Sequence, residues 1–302
     1  MPGPVASVAA AAAAALSFER APAAWPSLAR ALLSRRPALL AAGETIPAQE
    51  ARLAPRVADP AHLEAYRELC GFEPDDRLPI TWPHVLAGTM HLALLTGGAF
   101  PLRLFGLVHL RNRIEAARAI GQREPVELRC RVGGHRETER GQAFDLITEA
   151  RTGGQVAWVE TSTLLARRRA TAPARPTLAA VPPSAAPEGA RACAFRLGAD
   201  LGRRYARLSG DYNPIHLSTA TARLFGFQRA IIHGMWSLAR VAAELQPRVV
   251  AGPQVLEVAF KLPVLLPGRV TLRDWPRQGG LGFALLDEAG ERPHATGSLV
   301  AG

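Results

Sequence analysis

The sequence holds one lysine, Lys261, and three cysteines, Cys70, Cys130 and Cys193. The cysteines are odd in number, far apart and in no CxxC arrangement. That excludes a disulfide scaffold, argues against a metal site, and reads as buried thiols in a reducing compartment. No apolar run is long enough to span a membrane as a helix; residues 8–16 are mostly alanine and too few. The start, Met1-Pro2-Gly3-Pro4, lacks the positive charge of a signal peptide. The segment reads as a frayed leader, and a cytoplasmic protein is expected. The shortage of lysine also changes what the charge means. Lys+Arg number 36 against 26 Asp+Glu, a net +10, yet nearly all the positive charge is arginine in an alanine-rich chain. This reports a GC-rich coding sequence more than a nucleic-acid partner. No basic–aromatic stripe accompanies it, so nucleic-acid binding is not expected. The charge remains compatible with anionic partners such as phosphorylated cofactors or acidic carrier proteins.

Hydrophobic residues make up 48% and charged residues 21% of the 302 positions. That is globular composition, with enough apolar surface for about two domains. The clearest divide is 167–191, where Arg167-Arg168-Arg169 precede Pro173, Pro176, Pro182, Pro183 and Pro187 among Ala and Ser. Such a stretch buries no core and favours extended conformations. The expected division is a poorly ordered or extended leader at 1–45, a first domain at 46–166, the linker, and a second domain at 192–302.

Both domains read to one plan. In the first, a strand near 46–57 precedes a helix running from Asp59-Pro60 to Cys70. Thr81-Trp82-Pro83 opens a longer helix with Leu86, Met90, Ala93 and Leu94 on one face. Four strands follow at 105–116, 126–132, 141–150 and 155–166. In the second, 193–197 is a strand, Asp200 caps a short helix reaching Leu208, and a long helix starts at His233. Met235, Leu238, Ala242 and Leu245 recur on that helix at i, i+3, i+7 and i+10. Strands follow at 255–262, around Val270 and Leu272, at 281–286 and at 292–300. A long helix followed by an antiparallel meander predicts a sheet wrapped around that helix, α+β without βαβ alternation. Two such units joined edge to edge hide two exposed strand edges.

The halves differ between the short and the long helix. The bridge is short in the first half, Gly71 to Pro83, and much longer in the second, Gly210 to His233. The longer one begins Ser209-Gly210-Asp211-Tyr212-Asn213-Pro214-Ile215-His216 and ends Ile231-Ile232-His233-Gly234-Met235. Gly210 allows unusual backbone angles and Pro214 fixes one, so this is a defined turn. Asp211 and His216, five residues apart around it, can reach one point and form an acid–base pair usable near neutral pH. Asn213 can orient them through its amide. Gly234 opens the long helix, where a backbone N–H is unpaired and the dipole is positive; without a side chain it admits an oxygen closely. Taken alone, a Gly-Asp-x-Asn-Pro turn is ordinary turn chemistry. His233 reads as a helix-start or packing residue. His84, His91 and His109 lack a partnered acid at similar spacing and read as packing residues, as do Trp82, Trp158, Trp236 and Trp275.

The combined string reads YARLSGDYNPIH from Tyr205 to His216, then Gly234 within IIHGM, then FKLPVLLPG from Phe260 to Gly268. It closely resembles the hydratase-2 motif of the MaoC-like dehydratases, a hot-dog-fold family, over about 192–300. The first half resembles the partner unit of double-hot-dog members through its layout and LPITWPHVLAGTMHL, and lacks the motif. The resemblance implies a double hot-dog, two long helices each wrapped by an antiparallel sheet and joined into one continuous sheet. It also implies that the half without the motif helps make the acyl-chain site. The implied activity is (R)-specific hydration of 2-enoyl thioesters or dehydration of 3-hydroxyacyl thioesters. Asp211 and His216 match the family's catalytic pair, Gly234 the position whose N–H holds the thioester oxygen, and Asn213 the supporting position. One site per chain is expected, in the second half. The substrate is an acyl-CoA or acyl-carrier-protein thioester, with no cofactor and no metal. The resemblance is compatible with a monomer or a homodimer. A hot-dog thioesterase and a non-catalytic acyl-thioester-binding subunit are the competing readings.

Overall fold

The computed structural model describes residues 14–168 and 186–302. Before the divide the chain runs β1 (Ala14–Phe18), α1 (Ala24–Leu32), β2 (Gln49–Arg56), α2 (Pro60–Cys70), α3 (Trp82–Thr96), β3 (Leu107–Ala116), β4 (Val126–Thr138), β5 (Gly141–Thr152) and β6 (Gln155–Arg167). After it come β7 (Arg191–Leu197), α4 (Leu201–Ser209), α5 (Thr219–Arg223), α6 (Gly234–Leu245), β8 (Gln254–Phe260), β9 (Gly268–Arg277), β10 (Gly280–Leu286) and β11 (Pro293–Ala301). The strands form one sheet in the order β1-β2-β4-β5-β6-β3-β8-β11-β10-β9-β7. Leaving β1 aside, the order is mirrored about the β3–β8 seam. β2, β4, β5, β6 and β3 of one half answer β7, β9, β10, β11 and β8 of the other.

The seam is antiparallel, with Asn112 opposite Val258 and Ile114 opposite Leu256. Arg113 and Glu257, also opposite one another, form an ion pair across it. Pairing β3 with β8 removes one open edge from each half, the arrangement the alternating strands predicted. Each half lays its long helix on the sheet. On α6, Met235, Leu238, Ala242 and Leu245 are buried, and so are Trp236, Ala239, Val241 and Ala243. On α3, Met90, Ala93 and Leu94 are buried, while Leu86 is only half-buried and Val85 and Ala87 take inward positions. Helices covered on nearly all sides carry apolar residues all round, which blurs a single-face reading. The halves also grip one another through helices: Trp236 Nε1 of α6 donates to the Leu69 carbonyl of α2 at 3.1 Å.

Two expectations need correction. The leader is not simply extended or poorly ordered over its described part. β1 pairs in parallel with β2, and Ala24–Leu32 is a helix that packs on α3. Ser27, Leu28 and Ala31 are buried there, and Arg36 Nη2 donates to the Gly97 carbonyl at 2.7 Å. The helix has no side-chain N-cap bond, so the usual start signal is missing from the sequence. Asp200 likewise occupies the N-cap position of α4 without a capping bond from its side chain. Most of the Pro/Ala/Arg-rich linker, 169–185, and the first residues of the leader lie outside the described residues.

Candidate active site

The long bridge starts where α4 ends. Gly210 adopts φ +74°, a left-handed C-cap conformation, and its N–H donates to the Ala206 carbonyl at 2.9 Å. A second reason for glycine is proximity: a Cβ there would sit 2.9 Å from Thr89 Cγ2 of α3. On the facing helix, a side chain at Gly88 would run into the Ser209 carbonyl. The turn therefore rests directly on α3 of the other half.

Asp211 follows at once. Its N–H donates to Ser209 Oγ at 3.3 Å, and its Oδ1 accepts from Asn213 N–H at 3.1 Å. Asn213 Oδ1 accepts from Ile215 N–H at 3.4 Å, starting a single 3-10 turn over Pro214–His216. Asn213 thus acts on the turn's backbone; no bond joins its amide to Asp211 or His216 side chains among the described residues. His216 is buried, and its Nδ1–H donates to the Ile231 carbonyl at 2.8 Å. In the neutral ring that leaves Nε2 as the lone-pair nitrogen. Ile231 N–H donates back to the Ile215 carbonyl at 3.1 Å, and Ile232 N–H to Val264 at 2.9 Å. The two Ile231 bonds stitch the ends of the bridge together, and the Ile232 bond ties it to the chain at Val264.

The structure adds His233 to the pair. It is buried, and its ring stacks on His216 with centroids 3.7 Å apart and planes at 27°. Its Nε2–H donates to the Asp211 carbonyl at 2.9 Å and lies 3.8 Å from Asp211 Oδ2. His233 Nδ1 is buried and finds no partner among the described residues. Side-chain ligand atoms of Asp211, His216 and His233 all lie within 4.8 Å of one another, close enough to hold a cation. Of their ring nitrogens, His216 Nδ1 and His233 Nε2 are committed to carbonyls.

The charge states follow from the surroundings. Enclosure in the recess pushes the Asp211 carboxyl up, but His233 and His216 draw it below its ordinary value, and its side chain keeps 54% exposure. Burial lowers the His216 imidazole against the opposing pull of Asp211. Burial, with His216 alongside, pushes His233 down to about 3. Near neutral pH the site is an ionised carboxylate beside two neutral imidazoles, a set able to accept a proton from water.

Gly234 is the first residue of α6, so its N–H belongs to the unpaired first turn. A Cβ at Gly234 would sit 3.0 Å from Cε1 of Phe260, so the glycine keeps this helix end open against that ring. The same Phe260 ring lies 5.0 Å from His109 of β3. Two aromatic contacts brace the bridge from outside. Trp25 of α1 stacks on Tyr212 at 5.3 Å, and Phe105 meets Phe225 at 5.7 Å.

The half without the motif carries its own polar cluster. His84 Nδ1 of α3 lies 2.9 Å from both Glu160 oxygens, and Glu160 on β6 has 0% exposure. Asn112 Nδ2 donates to Glu160 Oε1 at 2.7 Å and to Ser162 Oγ at 3.0 Å. His91 Nε2 is bonded to Thr148 Oγ1 at 2.7 Å. Burial pushes His91 down to about 3 and His109 to about 4. Burial also works against the His84 charge, but Glu160 outweighs it and raises the imidazole above its ordinary value. His84 therefore has the acid partner that nearby sequence lacks. It stands 76 residues away on β6, and no local spacing could announce it. For His233 the only hint is its place immediately before Gly234.

Comparison with known proteins agrees with this architecture. The family described as MaoC like domain matches residues 189–290. A Mycobacterium tuberculosis protein named 3-hydroxyacyl-thioester dehydratase X is 34% identical over 244 residues, 80% of this chain and 85% of that one. The crystal structure of HtdX of Mycobacterium tuberculosis superposes with a TM-score of 0.71 at 31% identity, covering 83% of this chain and 99% of that chain. An (R)-specific enoyl-CoA hydratase of Aeromonas caviae is 38% identical over 80 residues, 25% of this chain and 59% of that protein. The mirrored sheet, the two wrapped helices and the similarity to the mycobacterial dehydratase over 80% of the chain place it in the MaoC-like dehydratase family, as a double-hot-dog enzyme of the hydro-lyase class.

Proposed function

We propose that the chain hydrates 2-enoyl thioesters to (R)-3-hydroxyacyl thioesters, or runs the reverse dehydration, with coenzyme A or an acyl carrier protein as the carrier. One observation carries the reading: the Asp211 carboxylate and the neutral His216 ring are fixed on one stitched turn whose other end is Gly234 at the start of α6. The names of the mycobacterial and Aeromonas relatives support the reaction class.

Water addition makes a C–O bond at Cβ and a C–H bond at Cα, while the thioester oxygen takes up enolate charge between the two. Asp211 and His216 Nε2 share the water and accept its proton; the same proton pool supplies Cα as the enolate collapses. The Gly234 N–H, with the helix dipole behind it, receives the developing oxygen charge. Asn213 holds the turn in shape through Ile215. The chemistry draws on the carrier thioester alone and asks for no redox or metal step.

The test follows absorbance at the enoyl-thioester band with 2-enoyl substrates from short to long chain, on both carriers. Loss of the band without thiol release is expected. Thiol release with the band's loss traceable only to hydrolysis would replace this reading with a thioesterase.

A further inference from the structure

An enolate oxygen is best held by two donors aimed at it in a water-poor space. Gly234 supplies one. The other half holds a group with the properties of a second. His84 is oriented by a fully buried carboxylate that receives its Nδ1–H on both oxygens, and Asn112 in turn fixes that carboxylate. A carboxylate paired with the imidazole in this way holds the ring in place and favours its protonated form, in which Nε2–H is the remaining donor. That nitrogen makes no hydrogen bond among the described residues, and the His84 side chain keeps 17% exposure although Glu160 has none. The exposed edge is therefore the Nε2 edge.

The location fits as well. His84 and Gly88 are four residues apart on α3 and share a helix face. Gly88 is the residue pressed on the Ser209 carbonyl, two residues before Asp211. On the sheet side, His109 of β3 lies against Phe260, and Phe260 lies against Gly234. His84 thus stands between the turn that carries Asp211 and the wall that ends at Gly234. Its charge is felt at Asp211 and at His233, the residue before Gly234. The groups facing it are Glu160 from β6, His91 from α3, His109 from β3, and Asp211 and His233 from the two ends of the bridge. Of these histidines, burial pushes His91, His109 and His233 down while Glu160 raises His84, so His84 is the one whose protonated form the surroundings favour.

We propose that His84 is a catalytic residue contributed by the half without the motif: its Nε2–H hydrogen-bonds the thioester oxygen beside the Gly234 N–H. It keeps its proton throughout and lends a hydrogen bond and a positive charge to the enolate. This rests on the hydratase reading above. It departs from the sequence expectation that His84 is a packing residue, and it gives the second half a reason to need the first.

The experiment is steady-state kinetics across pH on a 2-butenoyl thioester with wild type, His84→Ala, His84→Gln and Glu160→Gln, each checked by circular dichroism and thermal melting. Loss of one such donor costs about 10²-fold or more in turnover, the drop expected for His84→Ala. His84→Gln keeps a neutral N–H donor and should recover part of it. Because the donor must be charged, wild-type activity should fall as pH rises through the raised His84 value. That basic limb should vanish in His84→Ala and move to lower pH in Glu160→Gln. A purely structural role would lower melting temperatures and leave the limb in place. Turnover in His84→Ala within about threefold of wild type, or an unmoved limb, overturns the proposal. A second readout uses a saturated butyryl thioester labelled with ¹³C at the carbonyl, whose bound shift should be larger in wild type than in His84→Gln. If no 2-enoyl thioester is turned over, the hydratase reading fails; the carbonyl shift then decides the proposal, and an absent or equal shift overturns it.

Discussion

Asp211→Asn is the sharpest perturbation of the site because it changes charge and little else. The amide oxygen can still accept from Asn213 N–H, the 3.1 Å bond that shapes the turn. The main-chain carbonyl still receives His233 Nε2–H at 2.9 Å. The side chain is 54% exposed, so no buried packing is lost. Changes at such positions stay within about 0.5 kcal/mol, which for a chain this size moves Tm by about 2 °C at most. The proton acceptor is what disappears. Positioned acid–base groups contribute about 10²- to 10⁴-fold, so kcat should fall at least about 10²-fold, a barrier rise of about 2.7 kcal/mol. KM should change little, since the thioester oxygen is held elsewhere. The wild-type pH profile has a defined sign. In the proposed mechanism Asp211 and His216 both act in their unprotonated forms, so activity should be present at higher pH and lost as pH falls. His216 sets the limb first, and because burial lowers it, the limb lies below the ordinary imidazole value of about 6.5. The assay is the enoyl-absorbance decay beside a melt. A kcat within about tenfold of wild type, or a loss of activity matched by a loss of fold, would refute the reasoning.

His216→Ala should also lower kcat by about 10²-fold or more, with secondary structure retained by circular dichroism. Gly234→Val places branched methyls where even a Cβ meets Phe260 at 3.0 Å, so turnover should drop more than thermal stability; equal loss of both would make Gly234 a packing glycine only. Trp25→Ala removes the ring stacked on Tyr212 and should reduce kcat by loosening the catalytic turn, while Trp25→Phe restores most of it. If both Trp25 variants match wild type in kinetics, α1 does not brace the site.

The parts of the molecule readable in advance are those with local causes. Alternation of Val126, Leu128, Cys130 and Val132 with charged residues marks β4, because one sheet face is buried and the other is not. Asp59 accepts from His62 N–H at 2.8 Å, a capping bond that its place before Pro60 announces. Gly210 and Pro214 are legible for the same reason, since they set the backbone of a turn, whereas Asp211 and His216 are legible through the motif that resembles the MaoC-like dehydratases. The remainder depends on distant partners. α1 has no capping bond and gains its place by packing on α3 with Ser27, Leu28 and Ala31 buried, a contact no window of sequence displays. His233 looks like a helix start, and its role at Asp211 needs the bridge to close on itself. His84 and Glu160 come together only when α3 is laid on the sheet to which β6 belongs.

The most direct measurement of the central claim is chiral analysis of the product formed from a trans-2-butenoyl thioester by the purified wild-type chain. In the proposed mechanism Gly234 fixes one face of the enolate and Asp211 and His216 deliver water from one side, so a single enantiomer should form, and the proposed function makes it the (R)-3-hydroxybutyryl thioester. An (S) or racemic product, or no water addition at all, would contradict it.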